Sequence, residues 1–206
     1  MHVVMVHGFA DTGRLFRVLR RELEKEGHFG HAPTLHPRDG RLGLPDLAAK
    51  LDLFIRENVP AGSRMALVGF SMGALVARHY LQAAGRGHSC DAYFSLAGPQ
   101  MGTISAYLYP GLGTRQMRPG SVFLSELNSG LPALGAMPLY TYRTPLDIMV
   151  FPPATTRISG ATETVVWCPL HAMLAGDSHV IAHVIRELGN LETTSSPNLG
   201  RLNQAI

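Results

Sequence analysis

Charge is scarce in this chain. Asp, Glu, Lys and Arg make up 16% of its 206 residues, against 46% hydrophobic. That excludes a disordered segment or a coiled coil, both of which need many more charged positions. Basic runs are lacking too. The net charge is +3, no Lys/Arg run exceeds two, and Arg20, Arg21 and Lys25 alternate with Glu22, Glu24 and Glu26. This is the pattern of a solvated helix face rather than a nucleic-acid footprint. The two cysteines, Cys90 and Cys168, have no zinc or redox spacing. A chain of this length buries roughly 70% of its unfolded surface and needs neither disulfide nor metal to fold. The longest apolar run, residues 65–77, falls short of the ~20 residues that span a bilayer. Residues 1–6 lack the basic start and small-residue cleavage site of a secretory leader. These absences predict one soluble domain with no cofactor, metal, nucleic-acid partner or integral membrane segment. They place it in the cytoplasm, or outside the cell if a leader has been removed.

Short apolar runs alternate with helical patterns along most of the chain. Residues 3–6 read as a buried strand, followed by Leu15, Phe16, Leu19 and Leu23 at helical spacing. A weaker extended piece at 33–36 precedes Leu47, Leu51, Phe54 and Ile55, a helix that Pro60 ends. Residues 65–70 form a continuous apolar strand, and 73–84 a helix closed by Gly85. Further strands are expected at 93–97, 139–143 and 164–168, and Val180, Val184, Ile185 and Leu188 mark a last helix. Strands separated by helices imply βαβ units and a mostly parallel sheet of about six strands, covered on both faces. The domain is expected to span 1–188. A cap or substrate-loop insertion falls at about 102–138, with little helix beyond a turn or two at 121–127. A polar tail runs from 189 to 206.

Gly69-Phe70-Ser71-Met72-Gly73 fits G-x-S-x-G. The pattern alone recurs by chance in a chain with 22 glycines; its setting gives it weight. An apolar strand runs straight into Ser71 and a helix begins at once, the strand–turn–helix that a nucleophile elbow requires. The other reading is a serine that caps a helix after a glycine-rich turn. A serine hydroxyl needs a base to take its proton, and the base needs a third group to orient it. In this architecture the acid and the histidine follow the serine, each in a loop after a later strand. Asp147 follows the strand at 139–143, and His171 follows the one at 164–168. His179, four residues before His183 on the last helix, is the rival base. Asp177 reads as the cap of that helix, while Glu163 and Asp91 precede their strands and belong to the far end of the sheet. An oxyanion hole calls for backbone N–H groups from Met72 and from the loop His7-Gly8-Phe9, with His7 itself structural.

Three segments resemble the small α/β-hydrolase lipases and esterases of bacteria: Val4-Met5-Val6-His7-Gly8-Phe9, Leu67 to Ala74, and Ser95 to Thr103. Asp147-Ile148-Met149-Val150 and the stretch 171–188 extend the likeness. It implies a minimal α/β-hydrolase fold without the two leading antiparallel strands of larger members. It also implies Ser71 as nucleophile, Asp147 as acid, His171 as base, and Phe9 and Met72 as oxyanion donors. The chain departs from the family where Gln100 replaces a frequent histidine and where Phe9-Ala10-Asp11 follows the His-Gly pair. The expected substrate is an ester with an apolar acyl group, held by Phe9, Tyr107, Leu108, Met117 and Phe123. An acyltransferase using the same triad, or a ligand-binding member without catalysis, are the alternatives. The apolar residues of 102–138 could equally serve as packing over the sheet edge.

Overall fold

The computed structural model describes residues 1–84 and 90–195. Six strands form one sheet: β1 (His2–Val6), β2 (Phe29–His31), β3 (Met65–Phe70), β4 (Cys90–Leu96), β5 (Leu139–Arg143) and β6 (Thr162–Val165). Their order is β2-β1-β3-β4-β5-β6, and every neighbouring pair is parallel. This is a minimal α/β-hydrolase architecture, as expected. The chain runs outward from β1 to β2, then crosses back to place β3 on the other side of β1. That reversal opens a crevice at the carboxyl ends of β1 and β3, where open α/β sheets bind ligands.

Side chains alternate across the sheet, so each face of each strand feeds a different core. Val3, Met5, Val68 and Phe94 face α1 (Arg17–Lys25) and α6 (Ser178–Ser195), through Leu19, Leu23, Val180, Val184 and Leu188. Val4, Val6, Leu67 and Tyr93 face α2 (Leu44–Asn58) and α3 (Met72–Ala84), through Leu47, Leu51, Ile55, Leu75 and Val76. Because both faces are covered, the central strands are continuously apolar. Cys90 and Cys168 are free thiols. No helix among the described residues is long and apolar enough to cross a membrane.

Five expectations are corrected. The second strand is three residues at 29–31, not 33–36. Pro33 and Pro37 cannot donate to a ladder, and residues 33–36 form a loop whose Leu35 N–H donates to His7 instead. The last strand starts at Thr162 and ends at Val165, so Glu163 lies inside it, paired with Arg143 at 2.6 Å and Arg157 at 3.1 Å. Asp91 likewise lies within β4, against Arg64. The insertion at 102–138 is far more helical than its composition suggested. It holds α4 (Leu112–Gln116), α5 (Val122–Ser129) and 3₁₀ turns at Ile104–Tyr107 and Leu131–Leu134. Ser121 caps α5 by accepting from the Leu124 N–H. Finally, α6 continues through Gly189 to Ser195, because Leu188 and Leu191 carry its apolar stripe onward against the core. The rest of the expected tail, and Gly85, lie outside the described residues.

Candidate active site

Ser71 sits between β3 and α3 with φ +52°, the left-handed region that costs a non-glycine residue about 1 kcal/mol or more. Its surroundings hold it there. The Ser71 N–H donates to Leu96 O at 2.8 Å, and Ser71 O accepts from the Ala74 N–H at 3.0 Å. The flanking glycines are required by close approach. A Cβ on Gly69 would lie 2.4 Å from Ala74 Cα, and one on Gly73 would lie 2.2 Å from Val6 O. Ala10 and Ala97 also have positive φ; with Ser71 they follow β1, β4 and β3, so strain gathers along one edge of the sheet.

Asp147 follows β5 and is buried. Its Oδ1 accepts from the backbone N–H groups of Met149 and Val150, at 2.9 and 2.8 Å. Its Oδ2 accepts from His171 Nδ1 at 2.7 Å. That bond places the ring proton on Nδ1 and leaves Nε2 with a free lone pair. The His171 imidazole also packs against the ring of Phe70, the last residue of β3. Ser71, His171 and Phe70 line one cavity of about 380 Å³, closed by Phe9, Tyr109, Met117, Ile148, Met149, Val150 and Leu170 among others. Neither the Phe9 N–H nor the Met72 N–H has a partner among the described residues, while the neighbouring Ala10 N–H donates to Arg38 O. Met72 opens α3, where no carbonyl of the helix lies one turn back to receive its N–H.

His7 is structural. Its Nε2 accepts from the Leu35 N–H at 2.9 Å, and its Nδ1 donates to Gly8 O at 2.8 Å. Burial holds its pKa below the ordinary histidine value. This neutral ring fixes the loop that carries Phe9.

Of the residues expected to hold substrate, Phe9 and Met117 line the cavity. The other three do not. Tyr107 is exposed beneath the Arg118 guanidinium, 4.6 Å from its ring centre, and Leu108 is 78% exposed. Phe123 is buried in the core against His79 of α3. The rival base His179 lies 87% exposed beside Asp177, outside the cavity lining. Asp177 caps α6 as expected, accepting from the His179 and Val180 N–H groups. His183, one turn further along α6, is half-buried, with Nδ1 2.6 Å from the Tyr142 hydroxyl. Sequence reasoning missed Phe70, Asp11, Ile148, Met149 and Leu170 as cavity walls.

A second polar cluster lies beneath the insertion. Arg78 of α3 is 1% exposed and donates to Gln100 Oε1, Asn128 Oδ1 and Leu127 O at 2.9 to 3.0 Å. Gln100 in turn donates to Ser95 Oγ. No carboxylate pairs with Arg78 among the described residues. Burial lowers its pKa.

Residues 1–149 match the family model described as the alpha/beta hydrolase fold. Among solved structures, the chain is similar to a mature lipase from Bacillus licheniformis, with TM-score 0.68, 18% identity and 90% of each chain covered. It is similar to a methylesterase from Arabidopsis, with TM-score 0.64, 15% identity, and coverage of 92% of this chain and 99% of that one. A pyrethroid hydrolase from Sphingobium faniae gives TM-score 0.59 and 15% identity, over 95% and 98% of the two chains. At these identities the likeness is one of fold. Comparison with curated protein sequences finds no match.

Proposed function

This chain belongs to the α/β-hydrolase fold family, and on that premise we propose that it is a serine hydrolase cleaving carboxylic esters through an acyl-enzyme. The observation that carries the reading is one of convergence. A strained serine after β3 shares a cavity with a histidine after β6, and that histidine is bonded to a buried aspartate after β5. His171 Nε2 takes the Ser71 proton as Oγ attacks the ester carbonyl, then passes it to the leaving alcohol. Asp147 holds the tautomer and stabilises the imidazolium. The unpartnered N–H groups of Phe9 and Met72 receive the negative charge that develops on the carbonyl oxygen. Water, activated in the same way, releases the acid.

Apolar walls and a volume of about 380 Å³ favour an acyl group of short to medium length. Each methylene buried is worth ~0.8 kcal/mol, about fourfold in kcat/KM, until the cavity is full. The test is a graded series of p-nitrophenyl esters, together with labelling by a fluorophosphonate. Wild-type protein is expected to label and to prefer butyrate to octanoate over acetate; Ser71→Ala is expected to do neither. A folded Ser71→Ala variant with near-normal turnover would overturn the mechanism. A preference for acetate over every longer ester would overturn the apolar pocket.

A further inference from the structure

Among the described residues, Asp11 is the only Asp, Glu, Lys or Arg lining the cavity that holds Ser71. The other polar walls present few donors to a ligand. Thr103 Oγ1 donates to Met149 O, Thr114 Oγ1 donates to Tyr109 O, and the Ser105 hydroxyl donates to Met149 O. Their protons are directed into the wall, and the remaining lining is largely apolar. Asp11 Oδ1 accepts from the adjacent Thr12 N–H at 2.7 Å; the carboxylate has no salt bridge among the described residues, and the ring it acts on electrostatically, His7, is the buried one held neutral. Arg38, held against the same loop by a 3.5 Å contact with Ala10 O, lines a separate surface cleft with His36, Asp39, Arg41 and Lys50. Asp147, the other nearby carboxylate, is already bonded to His171 and to two backbone N–H groups.

The geometry points to Asp11 as a specificity-determining residue: it selects esters carrying a cationic group, such as a quaternary ammonium, over those carrying a carboxylate. This rests on the ester-hydrolase reading and names its substrate class more narrowly. An unpaired carboxylate beside low-dielectric walls attracts a cation and repels an anion more strongly than it would in open water. It does so two residues from Phe9, whose N–H faces the reaction in the proposed mechanism. A neutral ester feels neither effect.

The experiment compares three p-nitrophenyl esters of equal chain length, ending in trimethylammonium, in its neutral isostere tert-butyl, and in carboxylate. The readout is the ratio of kcat/KM values, which cancels any change common to all three. In wild-type protein the cationic ester is expected to exceed the neutral one, and the neutral one the anionic. Asn keeps an oxygen for the Thr12 N–H, so Asp11→Asn is expected to lower the cationic-to-anionic ratio by about tenfold at low ionic strength. Added salt is expected to shrink the ratio only in wild type. A ratio unchanged by the substitution overturns the assignment. The matching methyl ketones, which have no leaving group, give the same ratio as dissociation constants in Ser71→Ala. If no ester is cleaved but the ketone ratio depends on Asp11, the charge selection stands and the hydrolase reading falls. If esters are cleaved and neither ratio depends on Asp11, the selection falls and the hydrolase reading stands.

Discussion

The ring of Phe70 leans on the imidazole of His171, their centroids 4.7 Å apart and their planes inclined by 43°. Phe70 ends β3 and is almost fully covered, so the sheet itself supplies a fixed surface for the histidine. With Asp147 on Nδ1, this leaves the ring few alternative positions. Phe70→Leu keeps an apolar residue in the core but removes the flat support. It is expected to lower kcat by about tenfold through misplacement of the base, with little change in KM. Steady-state kinetics on a neutral ester check this, and an unchanged kcat would show that Asp147 orients His171 alone.

Asp147 has two separable duties, one for each oxygen. In Asp147→Asn the carbonyl oxygen can still accept from Met149 and Val150, while the amide nitrogen faces Nδ1 and favours the wrong tautomer. Turnover is expected to drop by up to ~10⁴ with little loss of stability. Asp147→Ala also leaves the buried Val150 N–H and the partly buried Met149 N–H without their acceptor, at about 1–3 kcal/mol for the buried one, and is expected to melt well below the asparagine variant. Equal melting temperatures would mean that the loop finds other acceptors.

Ser71 holds a backbone conformation that glycine adopts without strain. Ser71→Gly and Ser71→Ala are both expected to be inactive, but the glycine variant should be the more stable, by about 1 kcal/mol. For a domain of this size that is a rise of about 2–4 °C in Tm. Calorimetry on the two inactive variants removes any effect of catalysis, and a less stable glycine variant would show that the elbow is not strained.

Burial lowers the pKa of His7, and also those of His28, His31 and His79. A histidine whose folded value is depressed stays neutral in the native state while the unfolded chain takes up the proton. Stability is therefore full above the ordinary value of about 6.5 and is lost as the pH falls below it. The melting temperature is expected to drop between pH 7.5 and pH 5. His7→Gln should flatten that slope, at some cost in stability at pH 7.5. A slope as steep in the variant would assign the acid sensitivity to the other histidines.

What could be read from the sequence follows the regularity of the segments involved. Ser71 comes directly after an apolar strand, Asp147 and His171 lie in the loops after two later strands, and a parallel sheet delivers every such strand end to the same edge. Their meeting place was therefore implied by chain order. Residues 102–138 have no such guide. Composition marked Tyr107, Leu108 and Phe123 as apolar, but only the packed structure shows that Ala106, Tyr109 and Met117 turn inward while Leu108 turns out. A short edge strand such as β2 is equally hard to find, since three residues carry no period. Asp11 gives no pattern at all: one carboxylate after a His-Gly pair looks like any loop residue until the cavity closes around it.

The guanidinium of Arg78 bears on how this molecule could be rebuilt. Two of its acceptors, Leu127 O and Asn128 Oδ1, belong to α5, and the third belongs to the loop after β4. The insertion is thus wired to the scaffold by a charge that no carboxylate pairs among the described residues. Exchanging it for a foreign lid that covers the same surface would strand a cation in the interior at several kcal/mol. Any successful transplant has to carry equivalent acceptors with it, or remove Arg78 in the same step.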